Sequence, residues 1–179
     1  MADKPLTISQ MWNDRELPIA YFITFRTYGT WLHGDPRGST SRHRNRYKSK
    51  HLPDTPKWIA TNNERMNREP LTLDRAQREC VEAAIKDTCT RRGWDLYSAN
   101  ARTNHIHSVA NVGVAKPSIA LNAFKANATR SLREAGLYTS DETPWADKGS
   151  ERWLWTRAEV DRVIDYVLFG QGDDFLELV

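Results

Sequence analysis

The stretch Asn104-His105-Ile106-His107-Ser108-Val109-Ala110-Asn111-Val112 decides how this chain is read. Its alternating, β-rich composition after the short turn Arg102-Thr103 predicts a strand. Neighbouring side chains of a strand point to opposite faces, so His105 and His107 share one face, about 7 Å apart along the backbone. Ile106, between them, turns toward whatever the sheet packs on. Two neutral imidazoles aimed at one point can hold a divalent cation while leaving coordination positions open, as catalytic metals require. A half-exposed strand with two polar positions also accounts for the pair, and the His-x-His pattern alone does not separate the two readings.

Outward from this strand, the chain alternates between the periods of strand and helix. Trp94 to Ala101 alternates as a strand and is expected to form a hairpin with Asn104–Val112. Ahead of it, Leu73 to Arg92 reads as a helix, with Leu73, Ala76, Cys80, Ala84 and Thr88 on one face and Gly93 as its C-terminal cap. Earlier still, residues 18–28 form a β-branched and aromatic run that predicts the first strand. After the histidine strand, Pro117 opens a second helix whose stripe is Leu121, Phe124, Ala128, Leu132 and Ala135, ended by Gly136. Residues 137–151 read as loop and Arg152–Trp155 as a short closing strand. Thr156 and Glu159 form a capping box, followed by a third helix with a stripe of Val160, Val163, Ile164, Val167 and Leu168. This order predicts an α+β fold, a mainly antiparallel sheet with helices packed on one face. The other face stays free, and His105 and His107 occupy it.

A chain of 179 residues is most simply one domain, 1–179, with a core of its own. From Gly34 to about Pro70 nothing is periodic, which marks a loop insertion. Within it, residues 36–53 hold Arg37, Arg42, Arg44, Arg46, Lys48 and Lys50 and no acid, whereas the whole chain carries a net charge of +3. The basic character is therefore local. Such a run suits a nucleic-acid backbone, although a charge run taken alone is more often a solvated surface loop. Lys125, Arg130 and Arg133 add basic groups on the second helix, and Trp31, Tyr47 and Trp58 are candidates for stacking on bases or closing the core. No apolar run approaches 18 residues and the start lacks a signal-peptide layout, so no membrane partner is expected. Cys80 and Cys89 lie nine residues apart on one predicted helix, too far to pair, which fits a reducing cytoplasm.

Tyr166 falls roughly 130° from the centre of the last helix's apolar stripe and is expected to project outward. A phenol with a pKa near 10 is a poor nucleophile until its proton is withdrawn or its target is polarised. A cation on two imidazoles polarises a phosphodiester, and a tyrosine attack then conserves the bond energy as a phosphotyrosine. Cutting and rejoining a DNA strand needs that; hydrolysis does not.

In these segments the chain resembles the single-tyrosine HUH-nuclease transposases of the insertion-sequence and REP-associated tyrosine transposase group. The matching stretches are Tyr21 to Gly38, Asn104-His-Ile-His107, Phe124-Lys125-Ala126 and Tyr166-Val-Leu-Phe-Gly-Gln-Gly172. The resemblance implies a ferredoxin-like (RRM-like) HUH palm, with His105 and His107 as ligands of Mg²⁺ or Mn²⁺ and no organic cofactor. It implies Tyr166 as the nucleophile that leaves a 5′-phosphotyrosine and a free 3′-hydroxyl on single-stranded DNA next to hairpins. It further implies a homodimer and a cytoplasmic, nucleoid-associated location in a bacterium. Family members often carry a glutamine ligand one turn after the tyrosine. Here Gly170 stands at that position and Gln171 follows it, so Gln171 is the candidate third ligand, provided the helix breaks at Gly170.

The competing class is a domesticated relative that binds hairpin DNA, or structured RNA, without cutting it; Gly170 favours that reading. A metallohydrolase of small phosphates is disfavoured, because no carboxylate cluster accompanies the histidines.

Overall fold

A computed structural model describes residues 17–30 and 66–170. Gln171, the six basic residues from Arg37 to Lys50, and Trp31, Tyr47 and Trp58 lie outside the described residues, as does most of the expected insertion. The elements are β1 (Ala20–Thr27), α1 (Arg75–Arg92), β2 (Asp95–Ala101), β3 (His105–Asn111), α2 (Pro117–Glu134), β4 (Trp145–Leu154) and α3 (Arg157–Phe169). The strands form one sheet in the order β2-β3-β1-β4, with every neighbouring pair antiparallel. β1 and β2 therefore run parallel with β3 between them, and β3 and β4 run parallel with β1 between them. Each parallel pair is joined by a helix, and a crossover of this kind has one preferred hand, so α1 and α2 land on the same face. This is the ferredoxin-like α+β arrangement.

The main core lies between that face and the two helices. Tyr21, Ile23 and Phe25 of β1 and Ile106 and Ala110 of β3 cluster with Val81 and Ile85 of α1 and Phe124, Ala128 and Leu132 of α2. The register is the reason for this set. Tyr21 pairs with Ala110, Ile23 with Ser108 and Phe25 with Ile106, so the alternation of both strands agrees on which side is apolar. On α1 the buried stripe is Val81, Ala84, Ile85, Thr88 and Cys89, rotated from the expected one; Ala76 is exposed and Cys80 only half-buried. Leu73 is buried but precedes the helix, which starts after the capping residue Asp74 and its box partner Gln77. Ala135 is exposed because it is the C-terminal cap of α2.

Two expectations need correction. β4 begins at Trp145, seven residues before the expected Arg152. The segment Asp147-Lys148-Gly149-Ser150 has no strand-forming composition, and tertiary contacts impose the extended conformation on it. Opposite β1 the ladder is irregular: Gly149 pairs with Phe25 and Trp145 with Thr27, so two extra residues bulge out. The Lys125 ammonium caps that bulge, donating to the carbonyls of Ala146 (2.7 Å), Asp147 (3.3 Å) and Lys148 (3.1 Å).

The second correction concerns the layers. α1 and α2 share a face as expected, but α3 lies on the opposite face, which is therefore not left open. Val160, Val163 and Val167 of α3 pack with Ala20 of β1, Val109 of β3 and Leu154 of β4, and Phe22 and Tyr97 close the edge of this smaller core. This face grades from apolar to polar along each central strand. Ala20 and Phe22 precede Thr24 and Arg26 on β1, and on the antiparallel β3 Val109 lies beside the former and His107 and His105 beside the latter. α3 covers the apolar end. The histidines remain beside it at the polar end.

Candidate active site

His105 and His107 project from β3 to the face that carries α3, because the intervening Ile106 is fully buried in the main core. Their ring centroids are 4.7 Å apart. Each imidazole is held through Nδ1. His107 Nδ1 lies 2.8 Å from the hydroxyl of Thr24, its direct cross-strand partner on β1. His105 Nδ1 lies 2.6 Å from Asn104 Oδ1. A carboxamide oxygen only accepts, so His105 Nδ1 carries a proton, and Nε2 is the nitrogen whose lone pair a metal would take. Asn104 is itself fixed: the Thr27 backbone N–H donates to its carbonyl at 3.0 Å, and the Thr27 and Thr30 hydroxyls lie 3.2 and 3.3 Å from the same oxygen.

His107 is 7 % exposed, and burial pushes its pKa down to about 3, helped by His105, Arg102 and Arg26 nearby. It is therefore neutral throughout the physiological range, which is the form that coordinates metals. Arg26 is paired in register with His105, so its guanidinium belongs to the same polar end of the sheet.

Tyr166 sits at the border between the apolar and polar ends. Its ring centroid is 5.7 Å from that of His107 and 6.2 Å from that of Phe22, which it meets edge-on. Phe22 in turn lies 5.1 Å from the His107 ring. The side chain is 46 % exposed, so one edge of the phenol packs and the rest faces outward. Val160, Val163 and Val167 bury the other side of the helix, which turns residue 166 away from the core as the spacing predicts. At the C-terminus of α3, the Gly170 N–H donates to the Tyr166 carbonyl at 3.0 Å, and Asn100 Nδ2 donates to the Val167 carbonyl at 2.9 Å.

Of the expected site residues, then, one chain brings His105, His107 and Tyr166 together. Lys125, Arg130 and Arg133 are not brought to them. They lie on α2, behind the sheet, where Lys125 caps the β4 bulge and Arg133 donates to the carbonyls of Ser140, Asp141 and Glu142 in the loop before β4. Arg130 pairs with Glu134 at 3.8 Å. Among the described residues, no group of three or more His, Cys, Asp or Glu side chains gathers around a common point. The donor set nonetheless fits two positions of a divalent cation: two imidazoles, His107 among them neutral, with both Nδ1 atoms held by oxygen and both Nε2 atoms left for a metal.

Thr24 and Asn100 were not singled out from the sequence, and Asn104 was quoted with the histidine motif but given no role of its own. Alternation in Tyr21-Phe22-Ile23-Thr24-Phe25 places Thr24 on the polar face, but only the β1–β3 register puts it opposite His107.

No family model matches the chain, and no curated protein matches it in sequence. Among solved structures, it is similar to a REP-associated tyrosine transposase bound to a REP hairpin, with 11% identity and a TM-score of 0.47 over 95% of this chain and 72% of that one. It is also similar to a protein of Deinococcus radiodurans R1 assigned as a transposase, with 9% identity and a TM-score of 0.43 over 87% of this chain and 93% of that one.

Proposed function

We propose that this chain is a tyrosine-nucleophile DNA strand transferase that cleaves and rejoins single-stranded DNA next to hairpins. The observation that carries this reading is the 5.7 Å approach of the Tyr166 ring to His107, on the sheet face that holds the imidazole pair. Neither the burial of a helix nor the stability of a sheet calls for a half-exposed phenol beside two imidazoles; nucleophilic chemistry does.

In this reading His105 and His107 are two ligands of Mg²⁺ or Mn²⁺, with Gln171 the candidate for a third, and the cation polarises the phosphodiester when bound. Thr24 and Asn104 orient the imidazoles. Phe22 packs the edge of Tyr166 and excludes water from that side of the ring. The Tyr166 oxygen, having given up its proton to solvent, attacks the phosphorus. The bond to the 3′-oxygen breaks, that oxygen takes up a proton from solvent, and a 5′-phosphotyrosine remains; rejoining is the reverse. Arg37, Arg42, Arg44, Arg46, Lys48 and Lys50 supply phosphate contacts along the strand. A second copy is not required to complete the constellation, since one chain supplies all three residues; the homodimer implied by the family resemblance is tested by sedimentation with and without DNA.

The test is an adduct assay. The full chain is incubated with labelled, hairpin-bearing single strands and Mn²⁺ and resolved under denaturing conditions. A covalent adduct that disappears in Tyr166→Phe supports the transferase. Gly170, standing where the resemblance places a glutamine ligand, favours a second reading, a hairpin binder that does not cut. Retarded mobility with no adduct in any divalent metal would establish the binder instead.

A further inference from the structure

We propose that Asn100 is a positioning residue that sets the Tyr166 phenol over the imidazole pair; this inference rests on the transferase reading above. Asn100, His107 and Thr24 form one transverse row of the sheet, with His107 paired to Asn100 on β2 and to Thr24 on β1. Thr24 grips the imidazole at Nδ1, and Asn100 grips the tyrosine helix by donating Nδ2 to the carbonyl of Val167, the residue after Tyr166. One row of the sheet thus holds both groups that must meet.

The rest of the α3 contact cannot do this alone. Its buried face consists of Val160, Val163 and Val167, and an apolar stripe is non-directional, so it fixes the plane of the helix far better than its rotation or its slide. The Thr156–Glu159 capping box closes the N-terminal end with local bonds only, three turns from Tyr166. In the C-terminal turn, where carbonyls lack helical partners, Asn100 supplies a directional bond from the sheet. Asparagine is a poor strand residue, and its presence at a half-buried position of β2 is accounted for by this bond.

The comparison uses Asn100→Leu, which keeps the size and removes the donor, and Asn100→Gln, which restores a donor. Each is made in the full chain with 3-fluorotyrosine at position 166. The expected result for Asn100→Leu is a displaced ¹⁹F resonance of residue 166 and a single-turnover adduct rate at least tenfold lower at saturating hairpin DNA. Hairpin affinity stays unchanged, and Asn100→Gln recovers part of both signals. An unshifted resonance in Asn100→Leu, or a shifted one with an unchanged adduct rate, overturns the proposal. Should Asn100→Leu fail to fold, Asn100→Ala carries the same comparison. If the wild-type chain forms no adduct with any metal while the resonance still moves, the transferase reading fails and the positioning role of Asn100 stands by itself.

Discussion

A β-carbon at position 170 would lie 2.9 Å from both Cα and Cδ2 of Tyr166. Gly170 is thus the residue over which the tyrosine ring folds back, and its lack of a side chain lets the phenol lie where it meets His107. Position 170, read from sequence as the place where a third ligand is missing, has a steric reason to be glycine. Gly170→Ala should push the ring aside, lowering adduct formation at least tenfold and stability by about 1–2 kcal/mol. Adduct assays paired with urea unfolding separate the two effects; wild-type adduct levels would show that the ring has room to spare.

Thr24→Val removes the hydroxyl from His107 with little change of shape. It leaves a buried ring nitrogen without its partner, and a loss of about 1–3 kcal/mol in urea unfolding is expected. Loss of a ligand's orienting bond also typically weakens metal binding by about 10–100-fold, so Mn²⁺ titration calorimetry should detect the change. Unaltered Mn²⁺ affinity would argue that His107 is not a ligand.

The depressed pKa of His107 makes stability depend on pH. The folded value is about 3, against about 6.5 in an unfolded chain, so between these limits only the unfolded state binds the proton. The contribution is complete above about pH 6.5 and is lost as pH falls toward 3, at up to about 1.4 kcal/mol per pH unit. Measured with chelator present, unfolding free energies should fall on acidification over this range. His107→Gln should flatten that slope. An unchanged slope in the variant would place the titration elsewhere.

Lys125 was expected to contact DNA, and its three carbonyl partners point to a structural role. Lys125→Met should cost about 1.5–3 kcal/mol of stability by leaving the β4 bulge uncapped. Hairpin affinity at fixed salt should stay within about twofold, since losing one phosphate contact changes affinity and salt slope together. A large drop in affinity with normal stability would return Lys125 to the interface.

Gly149 stands where a β-carbon would come within 2.6 Å of the Thr24 carbonyl and 2.8 Å of a Leu121 methyl. Gly149→Ala forces β4 away from β1 or α2 away from the sheet, and a loss of about 1–3 kcal/mol is expected. Thermal melts compared at equal concentration measure it directly.

The order of strands and helices was legible in the sequence because each element carries its own period. The alternation around Ile106, the proline and apolar stripe of α2, and the Thr156–Glu159 box are local signals that need no partner. The same alternation placed His105 and His107 on one face, and the valine spacing of α3 turned Tyr166 outward. β4 was missed over Trp145–Glu151 because its extended form comes from pairing with β1 and from Lys125, which no local pattern announces. The face chosen by α3 was missed too. A stripe of three valines states that a helix must be covered, not which side of the sheet covers it. Only the tertiary structure decided that Ala20, Val109 and Leu154 do so, and with that choice the phenol came to rest beside the imidazoles. Periodicity is a property of neighbours along the chain, whereas the meeting of Thr24, Asn100, His107 and Tyr166 depends on register and packing between segments far apart in it.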